Sequence, residues 1–212
     1  VVFFFKIIVN NPHSYISLES LSEGVYKEKG SKFIAFATPC YSEVETKNYL
    51  SEWKKMHSQA RHLCYAYRLG VQNFITRAND DGEPNNSAGA PILGQIQSYE
   101  LTNVLIGVLR YFGGTKLGVG GLIHAYRAAA KDAIDSGNII QKELVENIKI
   151  NFTYPQLPLI MNLIKSTNAK VIMQDFQLEC NLEIYLPILE SDKIKLILSD
   201  IENVTIHSKG IY

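Results

Sequence analysis

From Tyr15 to about Thr38 apolar and polar residues alternate with the period of a strand. Lys29-Gly30-Ser31 supplies the turn of a hairpin in which Phe33 and Ala35 alternate with Ile34 and Phe36. The period then lengthens. Ser42 followed by Glu45 reads as a capping box and opens a predicted helix over residues 43–59, with Val44, Leu50 and Trp53 as its apolar side. Residues 62–71 return to alternation, with His62, Cys64, Ala66 and Arg68 on one face. Leu63, Tyr65, Tyr67 and Leu69 occupy the other, the better core face. A polar loop, RANDDGEPNNSAGAP, precedes a short helix around residues 92–97 and an apolar strand, VLIGVL, at 104–109. A glycine-rich stretch then leads into a long helix, Leu122 to Ile134, which stops near Ser136-Gly137-Asn138.

Beyond this point the rhythm is regular. Strands are predicted over 145–154, 170–175, 178–186 and 204–208, with helices over 157–166 and 191–200. That order is βαββαβ, the ferredoxin-like sandwich. Residues 135–141 read as a linker, so the chain divides into an N-terminal domain at 14–137 and a C-terminal domain at 141–212. The fold class is α+β.

Composition narrows the function classes. The 21 Lys+Arg equal the 21 Asp+Glu, so there is no overall basic excess of the kind that coats nucleic acid non-specifically. A local basic patch remains open. Cys40, Cys64 and Cys180 are scattered, odd in number and without metal-ligand spacing, which implies neither disulfides nor a metal site and fits a reducing, cytoplasmic location. The apolar start, VVFFFKIIVN, is too short to span a bilayer and lacks the features of a signal peptide. It reads as an early strand or a leader.

Five of the nine residues from Gly113 to Gly121 are glycine (Gly113, Gly114, Gly118, Gly120, Gly121). A strand that ends in glycines and re-enters as a helix exposes backbone N–H groups at the positive end of a helix dipole, where an anion is favoured. Neither common nucleotide fingerprint fits. A Walker A motif needs Gly-Lys-Ser/Thr, but Gly118 is followed by Val119-Gly120, and a dinucleotide motif from Gly118 would need glycine where Ile123 stands. No cofactor is expected. The glycines could equally serve only a tight crossover. Lys116 inside the loop and Arg110 at its entrance add charge to an anion site. His124, Arg127 and Lys131 follow at i, i+3 and i+7, a basic stripe suited to a phosphate backbone or simply a solvated face.

Asp80, Asp81 and Glu83 place three carboxylates in four residues. They offer a general base, with Asp81 and Glu83 the candidates, or no more than a tight Asp-Gly-Pro turn. His62 and Cys64 share a strand face, but a strand pair of this kind rarely gives the alignment and third group that nucleophilic catalysis needs. His62, Arg68 and Asp80 are kept as polar site candidates.

Three segments taken together, HLCYAYR (62–68), DDGEPNNSAGAPIL (80–93) and RYFGGTKLGVGGLIHAY (110–126), resemble the IMPACT family, including the bacterial YigZ proteins. The match departs from the family's commonest pattern twice. Asn85-Asn86-Ser87 stand where Ser/Thr-Gly-Thr is usual, and His124 stands where arginine is frequent. The resemblance implies an N-terminal domain with the fold of domain IV of elongation factor G and of some ribosomal proteins, followed by a small ferredoxin-like domain. It implies RNA or ribosome association in translation, and it brings no secure enzymatic activity. Three readings follow: an RNA- or ribosome-binding protein of translation, a hydrolase-type enzyme using the Asp80, Asp81 and Glu83 carboxylates, and a module that binds a protein partner.

Overall fold

The computed structural model describes residues 12–212; the apolar stretch 1–10 lies outside them. In chain order the N-terminal part forms β1 (Ser14–Leu18), β2 (Ser22–Glu28), β3 (Ser31–Pro39), α1 (Glu43–Met56), β4 (His62–Leu69), β5 (Ile75–Asn79), α2 (Gly89–Ser98), β6 (Val104–Tyr111), α3 (Gly118–Ser136) and β7 (Ile139–Glu143). The C-terminal part forms β8 (Val145–Thr153), α4 (Leu157–Lys165), β9 (Lys170–Phe176), β10 (Glu179–Pro187), α5 (Ile188–Ser199) and β11 (Thr205–Ile211). Two compact units result, Ile16–Lys142 and a second built on Glu143–Tyr212 with the segment ending at Tyr15. The fold is two-domain α+β.

The first unit is a five-stranded antiparallel sheet in the order β2-β3-β6-β4-β5. Helices cover both faces. On one, α2 and α3 enclose Phe33, Ala35, Cys64, Ala66, Val108, Tyr126, Ala129 and Ala133. On the other, α1 presses Trp53 against Phe36, Leu63, Tyr67 and Leu109. This corrects the one-sided reading of β4: Cys64 and Ala66 are as buried as Leu63 and Tyr67, because a sheet covered on both faces buries both sets of alternate residues.

Ser42 caps helix α1, with Glu45 N–H donating to Ser42 Oγ at 3.1 Å. The reciprocal bond of a capping box goes instead to the residue before the cap: the Glu45 carboxylate accepts from the Tyr41 N–H at 2.8 Å. Its inward face is Thr46, Tyr49, Leu50 and Trp53, at i, i+3, i+4 and i+7, whereas Val44 is 67% exposed. Strand β5 reads as loop in the sequence because it is a polar, exposed edge. Helix α3 begins at Gly118, inside the glycine stretch and four residues before Leu122, where the predicted helix starts.

The second unit is a four-stranded antiparallel sheet, β11-β8-β10-β9, with α4 and α5 packed on Ile148, Ile150, Leu182, Ile184 and Leu186. Its βαββαβ order is the one the periodicity predicts.

Candidate functional site

The acidic turn between β5 and α2 is held by its own carboxylates. Asp80 Oδ1 accepts from the backbone N–H groups of Ala88 and Gly89 at 2.9 and 2.8 Å, and Oδ2 from Asn86 at 2.9 Å. Asp80 thereby serves the orphan donors at the start of α2, which has no side-chain cap from Ala88. Asp81 Oδ2 accepts from Leu63 N–H at 2.7 Å, and the Asp81 carbonyl accepts from His62 Nδ1 at 2.7 Å. These bonds pin the turn to β4. Asn86 stands at φ +62°, a left-handed conformation that asparagine tolerates best after glycine. That accounts for asparagine at the position where the resembled family usually carries glycine.

Glu83 and Arg110 form an ion pair beneath this turn. Arg110 Nη1 donates to Glu83 Oε1 at 2.6 Å, with side-chain exposures of 8% and 5%. Tyr126, fully buried on α3, donates its hydroxyl to the same Glu83 oxygen at 2.8 Å. Cys64 donates its thiol to the Asp80 carbonyl at 3.0 Å and lies 3.3 Å from the Tyr126 hydroxyl. Burial raises both the Cys64 and the Tyr126 pKa, so both stay protonated and act as donors. The Arg110 guanidinium sits 5.6 Å from the centres of both the Phe33 and the Phe112 rings, and its Nε is buried without a partner among the described residues.

The glycine loop divides into positions the fold requires and positions it leaves open. At Gly113 a Cβ would lie 1.9 Å from Gly30 C, so this glycine lets the β2–β3 hairpin tip lie against the loop, and Gly113 N–H donates to Ser31 Oγ at 3.1 Å. Gly114 and Gly118 have φ +86° and +71°, conformations that favour glycine. Gly121 is tight against Leu117 Cβ at 3.0 Å. Gly120 differs: beyond its chain neighbours and the backbone of its own helix no atom lies within 4 Å of the place its Cβ would take, and unlike Gly114 and Gly118 it has no positive φ. No side chain caps the N-terminus of α3 and no acidic residue stands in its first turn. The first turn therefore presents backbone N–H groups and positive dipole without a neutralising carboxylate of its own.

Beside this turn lies a groove of ≈ 350 Å³. Its floor includes the Glu83–Arg110 pair, Phe112, Leu117, Val119 and Leu122 form apolar walls, and Arg61, His62 and Lys116 complete it. Arg61 is exposed and its guanidinium lies 4.8 Å from the Phe112 ring centre. The structure thus brings Arg110, Lys116, Gly118, His62 and Glu83 to one place. It adds Arg61, Phe112 and Tyr126, which the sequence reading did not single out.

The remaining candidates lie elsewhere. His124 and Arg127 are exposed on α3 but do not line the groove, and the His124 ring packs edge-on to Tyr26 at 5.5 Å. Lys131 is held by Asp135 and, at 3.0 Å, by the Tyr99 hydroxyl, so its charge is answered within the chain. Arg110 is buried rather than displayed. Arg68 shares a strand face with His62 but sits at the far end of β4, about 20 Å away, over the Phe74 ring at 3.7 Å. Asp80 and Asp81 bind backbone donors and Glu83 binds Arg110 and Tyr126, so each of the three carboxylates is anchored to the chain's own groups. Among the described residues no group of three or more His, Cys, Asp or Glu side chains is placed to hold a metal ion, and no helix is long and apolar enough to cross a membrane.

Fold and groove together define a two-domain α+β protein whose first domain presents an uncapped, glycine-rich helix N-terminus beside a buried ion pair. Residues 29–134 match the Impact N-terminal domain. Over 155 residues the chain is 33% identical to IMPACT family member YvyE of Bacillus subtilis (strain 168), covering 73% of this chain and 71% of the relative. It is 29% identical over 174 residues to IMPACT family member YigZ of Escherichia coli (strain K12), covering 81% and 85%. The crystal structure of a hypothetical protein superposes with a TM-score of 0.73 at 25% identity, covering 93% of this chain and 98% of that one. The chain belongs to the IMPACT family.

Proposed function

We propose that this protein is a translation-associated, cytoplasmic RNA- or ribosome-binding protein, and that the groove at the N-terminus of α3 takes the phosphate backbone. The observation that carries the reading is the company Lys116 and Arg61 keep. Two exposed cations without ion-pair partners among the described residues flank a helix terminus with no cap and no acid, and the nearby carboxylate, Glu83, is neutralised by Arg110. A phosphate entering there meets positive charge and backbone donors together. Arg127, exposed further along α3 and also without a hydrogen-bond or ion-pair partner among the described residues, offers a third contact. Gly120 supports the same reading, because a mid-turn glycine that packing does not require leaves backbone open to an outside group.

Three phosphate contacts on a single strand correspond to a slope of about −2 in log affinity against log salt. Fluorescence anisotropy of the full chain with labelled tRNA and ribosomal RNA fragments over a salt series measures it. Lys116→Glu and Arg61→Glu should each weaken binding and flatten the slope. Salt-independent binding, or no binding to either RNA or ribosomes, would overturn the proposal. Ribosome association that survives nuclease treatment and the Lys116→Glu change would instead favour a protein-docking module.

A further inference from the structure

The groove is more than a phosphate cradle. A duplex presents phosphates and sugars to a surface, and its bases stay stacked inside. Cationic side chains around a helix terminus would suffice for it, and an apolar recess would contribute nothing. Here the cations rim a recess of ≈ 350 Å³ whose walls are Phe112, Leu117, Val119 and Leu122. That volume lies at the small end of the range for small-molecule pockets. Arg110, nine-tenths buried in its lining, keeps one N–H donor, Nε, without a partner among the described residues. Arg110 thus sets a cation beside apolar walls, which suits a flat group with acceptors on its edge, such as a nucleobase, better than an aliphatic one. Arg61 has the Phe112 ring as its contact and forms no ion pair among the described residues, so it can lift and close over a flat group laid on that ring.

Resting on the RNA reading above, we infer that the groove selects unpaired nucleotides: one base enters the recess against Phe112 while its phosphate sits at the N-terminal turn of α3 beside Lys116. The partner is accordingly a single-stranded loop, bulge or end of an RNA, not the side of a helix.

The test measures binding of the full chain to a labelled unpaired ten-nucleotide RNA and to a blunt duplex of equal length and the same salt, by anisotropy, with UMP and inorganic phosphate as competitors. Stacking of one base predicts an advantage of about tenfold for the unpaired strand. UMP should compete better than inorganic phosphate. Phe112→Leu keeps apolar volume and removes the aromatic face, so it should abolish the preference and leave the salt dependence in place. Lys116→Glu should weaken both RNAs alike. Equal affinity for the two RNAs, or a preference unchanged in Phe112→Leu, overturns this inference and leaves the phosphate reading standing. Failure to bind either RNA removes both. Should Phe112→Leu fail to fold, as judged by circular dichroism, Phe112→Trp serves instead, with the preference expected to rise.

Discussion

The acidic turn at residues 80–84 and the glycine loop at 113–121 contribute to the same groove, yet they use their chemistry in opposite directions. The turn carries the more reactive side chains, and nearly all of that potential is consumed inside the chain: Asp80 by three amides, Asp81 by Leu63, Glu83 by Arg110 and Tyr126. The loop carries one charged side chain and is left uncapped and open at Gly120 and Lys116. Carboxylates in a cleft suggest catalysis until their partners are counted. Glycines suggest mere geometry until one of them proves to have no packing reason. The lesson is that availability, not reactivity, marks the surface a partner would use.

That contrast can be broken first at its buried end. Arg110→Met leaves Glu83 buried without its counter-charge and should cost about 3–5 kcal/mol, read as a lower urea midpoint with an unchanged slope. Adding Glu83→Gln to that background should recover most of the loss, because the neutral amide oxygen still accepts from Tyr126. If Arg110→Met is neutral, the pair is not the internal anchor described here. Asp80→Ala comes next. Removing the acceptor for Asn86, Ala88 and Gly89 should cost about 2 kcal/mol, with the start of α2 exchanging amide protons faster.

At the open end the sign reverses. Gly120→Ala should raise stability by about 0.5–1 kcal/mol, since alanine favours a helix over glycine and nothing in the fold opposes its methyl group. The same change should weaken RNA binding if a phosphate approaches that backbone. A variant that is both more stable and equally good at binding would place the partner elsewhere.

The smallest effect lies in the second domain and serves as a control. Burial pushes the Glu146 carboxyl up, but bonds from Ser191, Ser208 and Lys195 outweigh it and leave its pKa below the usual carboxylate value. Its stabilising contribution is therefore complete above about pH 4.3 and is lost as pH falls through the folded pKa. Between pH 6 and 3 the wild type should lose more stability than Glu146→Gln, measured by thermal melts. RNA binding at neutral pH should be unaffected by that change.

Much of this architecture is legible in the sequence. The hairpin turn at Gly30, the cap at Ser42 and the βαββαβ rhythm of residues 145–211 are local signals, and local chemistry enforces them. What escapes is whatever depends on contacts distant in sequence. Arg110 reads as a surface charge because nothing nearby reveals that Glu83, 27 residues away and itself bonded by Tyr126, pairs with it in the interior. The second core face of β4 is hidden because helices cover both sides of the sheet. Arg61 is one cation among several near the end of α1, and only the strand pairing that sets its neighbour His62 opposite Arg110 brings it to Phe112. Alternation alone places His62 and Arg68 together, although the length of the strand separates them. The basic stripe of His124, Arg127 and Lys131 is real in spacing, but Asp135 and Tyr99 take up Lys131.

Hydrogen–deuterium exchange of the full chain, with and without an unpaired RNA oligonucleotide, tests the central claim most directly. Protection centred on residues 113–121 and on Arg61 and His62, with the second domain unchanged, is the result expected. Protection confined to any other surface, with the amides of residues 113–121 exchanging as they do in the free protein, would contradict it.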